Sequence, residues 1–160
     1  MRKTFWKSVF SLLSPKSRRG LCKGGGSSVR MYALRVKPDQ DLRQALLTFA
    51  RQHQLLAGCV VTCVGSLRRA HLRFADQNEG AVLEGRYEIV SLVGTFHAQA
   101  GGHFHIALSD EQGRTIGGHL LDGNIVYTTA EIAVMEGIEL EFRRELDDST
   151  GYRELKIFPR

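Results

Sequence analysis

The chain has 160 residues, 42% of them hydrophobic and 24% charged, with a formal net charge of +5. That is enough for one domain with a sizeable core and too little for two, and no apolar run approaches the roughly 18 residues of a membrane-spanning helix. Eight of the 22 Lys and Arg lie in residues 1–30 with none of the 17 acidic residues, so residues 31–160 hold 14 basic against 17 acidic side chains. The basic excess belongs to the leader and gives no support for a nucleic-acid-binding surface on the folded part.

The leader, residues 1–30, is rich in Ser, Arg and Lys and ends near the run Gly24-Gly25-Gly26-Ser27-Ser28. It reads as a disordered or targeting arm, with a mitochondrial transit peptide as the sharpest version. The alternative is a dispensable extension ahead of a second start at Met31. The expected location is intracellular: mitochondrial if the leader is a transit peptide, otherwise cytoplasmic or nuclear. The cysteines, Cys22, Cys59 and Cys63, are odd in number and form no Cys-x-x-Cys pair, which argues against a disulfide framework.

Residues 31–160 read as the domain. Met31 to Val36 alternate as a strand, and Pro38-Asp39-Gln40-Asp41 supplies a helix start. Leu42, Ala45, Leu46, Phe49, Ala50 and His53 then recur at helical spacing, with His53 read as a surface or capping residue. Beyond Gly58 the expected strands are 59–64, 66–75, 86–96, 103–109, 115–121, 125–127, 131–135, 138–145 and 154–158. Residues 129–136 are equally readable as a short helix. Many strands and one clear helix predict an α+β domain on a largely antiparallel sheet.

Three histidines carry the most chemistry. His103 and His105, two apart in a strand, face the same side, and a hairpin folded about Gln112 sets His105 opposite His119. Three imidazoles on one face can ligate zinc and leave its fourth position for water or a partner's side chain. The competing account is three ordinary polar strand residues. His97, in what reads as a 94–102 loop just before the pair, is a candidate for a fourth ligand or a supporting hydrogen bond, and Glu88, Asp110 or His97 is a candidate general base. Arg69, His71 and Arg73 alternate onto one strand face that could receive an anion, or simply face solvent or a subunit.

The segments Gly85-Arg86-Tyr87-Glu88-Ile89-Val90, Gly65-Ser66-Leu67 (read as a turn), His103-Phe104-His105, Asp110-Glu111-Gln112-Gly113-Arg114 and Gly117-Gly118-His119 together resemble the PPC domain, the plants and prokaryotes conserved domain. The resemblance covers residues 31–158. It implies a compact sandwich in which a bent, mainly antiparallel sheet carries an outer helix, a homotrimer, and zinc on His103, His105 and His119. It also implies a packing or assembly role for Arg86, Tyr87, Glu88 and Ile89. Plant members bind A·T-rich DNA through a separate Arg-Gly-Arg-Pro element. This leader has Ser17-Arg18-Arg19-Gly20 instead, so direct nucleic-acid binding is not expected and any DNA association would run through partners. The expected function is a trimeric interaction or regulatory domain with a three-histidine zinc site. The alternative is a zinc-dependent hydrolase working at the open metal position.

Overall fold

The computed structural model describes residues 26–160; the leader's expected targeting role and Cys22 lie outside the described residues. The elements run β1 (Val29–Val36), α1 (Leu42–Gln52), β2 (Gly58–Arg73), β3 (Ala81–His97), β4 (Gly101–Ser109), β5 (Thr115–Leu120), β6 (Ile125–Gly137), β7 (Leu140–Leu146) and β8 (Arg153–Pro159). The expected α+β sandwich is overturned: strands take 62% of the described residues and the one helix 8%. The fold is sheet-dominated because expected breaks are bridged by continuous strand. Residues 59–64 and 66–75 fuse into β2, and 125–127 and 131–135 into β6. Residues 129–136 are therefore strand.

Gly65 explains the first fusion. A Cβ at Gly65 would run into the Thr129 carbonyl oxygen, so this glycine lets β2 press against β6 where a turn was expected. Register shifts at Val60/Thr62, Gly65/Leu67 and Leu67/Arg69 bend β2 along its length. The bend lets the two ends of β2 serve different neighbours. The six-stranded sheet runs β1-β6-β2-β3-β4-β5, and β5 returns to the end of β2 through Leu72↔Leu120 and Arg73↔His119. Strands β2 to β5 thus close into a ring, while β7 and β8 form a separate hairpin.

The core is a single cluster. Leu67, Leu72, Leu92, Phe96, Phe104, Leu108 and Leu120 of the ring meet Leu42, Leu46 and Ala50 of α1. The helix lays its buried stripe, Leu42, Leu46, Leu47 and Ala50, against this core. Asp41 starts it as N-cap, accepting from the Gln44 amide at 2.8 Å. The other carboxylate oxygen accepts from the amides of Gly123 and Asn124, tying the helix to the turn before β6.

The expected 94–102 loop is also strand, with Phe96 opposite Gly102 and His97 opposite Gly101 across a short turn. At Gly94 a Cβ would collide with the His103 carbonyl oxygen and the Phe104 ring. Gly94→Ala is expected to lower stability by about 1–3 kcal/mol, the usual cost of overpacking. Urea unfolding of the variant beside the parent chain reads this directly, and an unchanged midpoint would contradict it.

Candidate metal centre

The hairpin from β4 to β5 builds the centre. Its turn is closed by Asp110, whose Oδ1 accepts from the amides of Gln112 and Arg114, both at 2.9 Å. The Asp110 amide donates to the Arg114 carbonyl at 3.0 Å, and Gly113 takes φ +78°. This turn sets Ser109 opposite Thr115 and, four residues further from the tip, His105 opposite His119. Along β4 the alternation buries Phe104, Ile106 and Leu108 and leaves His103 and His105 on the outer face. In β5, Leu120 is buried and His119 projects the other way.

One ring nitrogen from each of His103, His105 and His119 lies within 4.8 Å of the other two. His103 Nε2 and His105 Nε2 are 3.1 Å apart, and the ring centroids are separated by 5.0, 5.0 and 5.5 Å. Zinc held at about 2.0–2.1 Å by tetrahedral nitrogens sets those nitrogens roughly 3.3 Å from one another. The donor set fits such an ion, with small ring rotations. His119 Nδ1 supplies a second sign of fit, being buried without a hydrogen-bond partner. A dry, unpaired imidazole nitrogen is costly unless something else uses it.

Their surroundings disfavour protonation of His103 and His119, and the neutral form is the one that ligates metal. Burial, then the Arg144 guanidinium, then His105 push the His103 pKa down. Burial, then His103 and Arg73, push His119 down to about 4. No Asp, Glu or Cys among the described residues joins the cluster. A groove of about 450 Å³ opens beside it, walled by Phe74, Ser91, Val93, Ala107, His105 and His119.

Other expected site residues are placed elsewhere. His97 braces the β3–β4 turn: its Nδ1 accepts from the amides of Gln99 and Ala100, both at 3.0 Å, and its Nε2 lies 3.9 Å from Glu141. Burial pushes its pKa down. Glu88 sits exposed on β3, opposite Ser66 and Ser109. The Arg86 guanidinium stacks 4.7 Å from the Tyr127 ring centre, Tyr87 donates to the Glu84 carbonyl at 3.4 Å, and Ile89 is core.

Arg69, His71 and Arg73 do share the outer side of β2, but each is engaged within the chain. Arg69 Nε lies 3.4 Å from Glu84, an ion pair without hydrogen-bond geometry. His71 Nδ1 donates to the Asp122 carbonyl at 2.7 Å, and Arg73 donates to the Gln77 carbonyl at 3.3 Å. Sequence reasoning missed Arg144 and Thr95. Arg144, on β7, donates to Thr95 Oγ1 at 2.9 Å and lies 3.5 Å from His103 Nδ1. Only the packing of the β7–β8 hairpin on β3 brings it there, and no spacing in the chain announces it.

A model of the Plants and Prokaryotes Conserved (PCC) domain, the family abbreviated PPC above, matches residues 23–138. The chain belongs to this family. It is 51% identical over 130 residues to the "Bifunctional protein GlmU" of a Synechococcus strain, covering 81% of this chain and 21% of that protein. The chain thus spans about a fifth of that relative's length. A solved hypothetical protein from Salmonella is 40% identical with TM-score 0.83, covering 85% of this chain and 98% of that one. A solved metal-containing protein from Archaeoglobus fulgidus is 25% identical with TM-score 0.69, covering 84% and 99%.

The depressed histidines make a signed prediction for the metal-free chain. The native state keeps His119 neutral down to about pH 4, whereas an unfolded histidine takes up its proton near 6.5. Between those values the unfolded state binds more protons, so this contribution is complete above about pH 6.5 and is lost as pH falls towards 4. Thermal unfolding of chelator-treated protein should show a midpoint that drops across this window. His119→Gln should flatten the drop, and equal slopes in both proteins would contradict the account.

Proposed function

We propose that this PPC-family chain is a regulatory and interaction domain that assembles as a homotrimer and holds zinc on His103, His105 and His119. The observation that carries the metal is the convergence of three imidazoles around one point, with His119 Nδ1 buried and unpaired. The metal-containing relative from Archaeoglobus fulgidus supports it. Bound there, zinc would supply a Lewis-acid position open to a ligand's oxygen. The engaged state of Arg69, His71 and Arg73 favours DNA association through partners over direct phosphate contact.

For assembly, the support is an apolar strip on the outer sheet face. The register Cys59↔Thr95 and Ser66↔Glu88 brackets a stretch in which Val64 falls level with Val90 and Val61 with Val93. Val64, Val90 and Val93 are each more than half exposed, at 55%, 58% and 56%. Val90 projects because the β3–β4 pairing slips between Ile89 and Ser91. Neighbouring exposed valines fit burial against further copies of the chain.

A zinc-dependent hydrolase is the second reading, favoured by the groove that opens beside His105 and His119. No carboxylate joins the cluster itself among the described residues, and Glu154 of β8 is the acid whose charge acts on His103, so it is the base this reading would have to use.

Elemental analysis of the full chain, purified without added metal or a histidine tag, should find close to one zinc per chain. The variant His103→Ala/His105→Ala/His119→Ala should lose it. No metal in either protein would overturn the zinc assignment. Separately, sedimentation equilibrium should give three times the chain mass, and Val64→Asp/Val90→Asp should shift it towards the monomer. A monomeric parent chain would overturn the trimer.

A further inference from the structure

Arg144 lies on β7, beyond the residues 23–138 that the family model matches, and its guanidinium reaches the histidine cluster. We propose that Arg144 is an anion-positioning residue of the three-histidine centre, so that the centre takes a small oxyanion, a carboxylate or phosphate, with one oxygen at the open metal position and another on the guanidinium. The proposal rests on the metal reading above.

The hydrogen bonds show why Arg144 becomes available. Arginine has only donors, so its 3.5 Å contact leaves His103 Nδ1 as acceptor and places the ring proton on Nε2. That N–H then donates to His105 Nε2 across 3.1 Å. A ligand nitrogen cannot keep its proton, so use of His103 Nε2 as a ligand moves the proton to Nδ1. Two donors then face each other, and Arg144 loses its acceptor on the histidine while keeping Thr95 Oγ1. Among the described residues no carboxylate belongs to the cluster. Glu154 of β8, the acid whose charge acts on Arg144 and His103, accepts from Thr150 Oγ1 at 3.1 Å and forms no ion pair with the guanidinium, so the released arm stands beside the metal position without an acceptor there.

Charge makes the same demand. Three imidazole ligands bring no negative charge to offset a divalent cation, and at His103 the positive charge of Arg144 outweighs the opposing Glu154 carboxylate of β8. Arg73 adds more on the opposite flank, opposite His119 in the sheet register and at the rim of the groove. Arg73 is already bonded to the Gln77 carbonyl, so Arg144 is the arm that makes the contact and Arg73 supplies background field. An oxyanion satisfies both the metal and the guanidinium, and a planar fork suits carboxylate and phosphate oxygens alike. By linkage, metal and anion then bind better together than apart.

The test uses the full chain loaded with cobalt(II), whose visible absorption reports its coordination, titrated with acetate and with methyl phosphate. The parent should give a saturable spectral change with at least one probe, and whichever binds tighter identifies the headgroup. Arg144→Gln should weaken that binding by about tenfold or more, with Arg144→Lys in between. Cobalt affinity without anion should not fall in Arg144→Gln, since a repelling charge is removed. Arg143→Gln, on a neighbour that pairs with Glu141 and stacks on Phe158, should leave anion binding as it was. Equal anion affinity in the parent and Arg144→Gln, no response to either probe, or an equal loss in Arg143→Gln would overturn the proposal. A chain that develops no cobalt bands at all marks failure of the metal reading itself, and the proposal falls with it.

Discussion

The register of the β4–β5 hairpin is the constraint on which the candidate centre depends. It is held at both ends. Asp110 binds two amides across the tip, and Leu72↔Leu120 and Arg73↔His119 fasten β5 to β2 at the base. A slip of one residue would turn His119 into the core and Leu120 outward, exchanging a buried leucine for a buried imidazole. The core therefore defends the geometry of the centre: Phe104, Ile106, Leu108 and Leu120 fix which way the histidines face. The strand closure that makes the ring and the ligand geometry are one property.

The same closure sets the electrostatics. Bringing β5 against β2 places Arg73 opposite His119, and packing β7 against β3 places Arg144 at His103. Each cation makes a protonated imidazole less favourable, and burial acts in the same direction. His103 and His119 thus sit among fixed positive charges, with Glu154 opposing them at His103. An electropositive rim discourages cations unless ligand bonds outweigh it, and imidazole–metal bonds are strong enough to do so where simple ion pairing is not.

Much of the centre was legible because its signals are local. A His-x-His pair in an alternating run and a polar turn about Gln112 place three histidines on one face, given only the strand period. The helix at 42–52 was equally legible from its stripe and its Asp41 cap. The balance of the fold was not. Gly65 carries the signal of a turn, yet its missing Cβ serves close strand approach, and the Thr129–Glu136 run has no period that separates strand from helix. Both choices are settled by pairing partners distant in sequence, which turned an expected sandwich into a sheet-dominated ring. His97 illustrates the complementary failure. Its nearness to the ligand strand suggested a role at the metal, whereas the turn amides of Gln99 and Ala100 occupy its Nδ1.

Arg144 was invisible for a different reason. Nothing local distinguishes it from Arg143, its neighbour on β7, yet strand alternation sends one to Thr95 and His103 and the other to Glu141 and Phe158. The matched family residues, 23–138, supply the three histidines, while the hairpin beyond them supplies the guanidinium. That division separates two properties that usually come mixed. The ring determines whether a metal can be held, because the ligand register is bound to the core. The hairpin reaches the cluster through Arg144, while the histidines themselves stand on β4 and β5. On the proposal above, changes at Arg144 would alter which anion binds opposite the histidines while the ligand set on β4 and β5 stays the same.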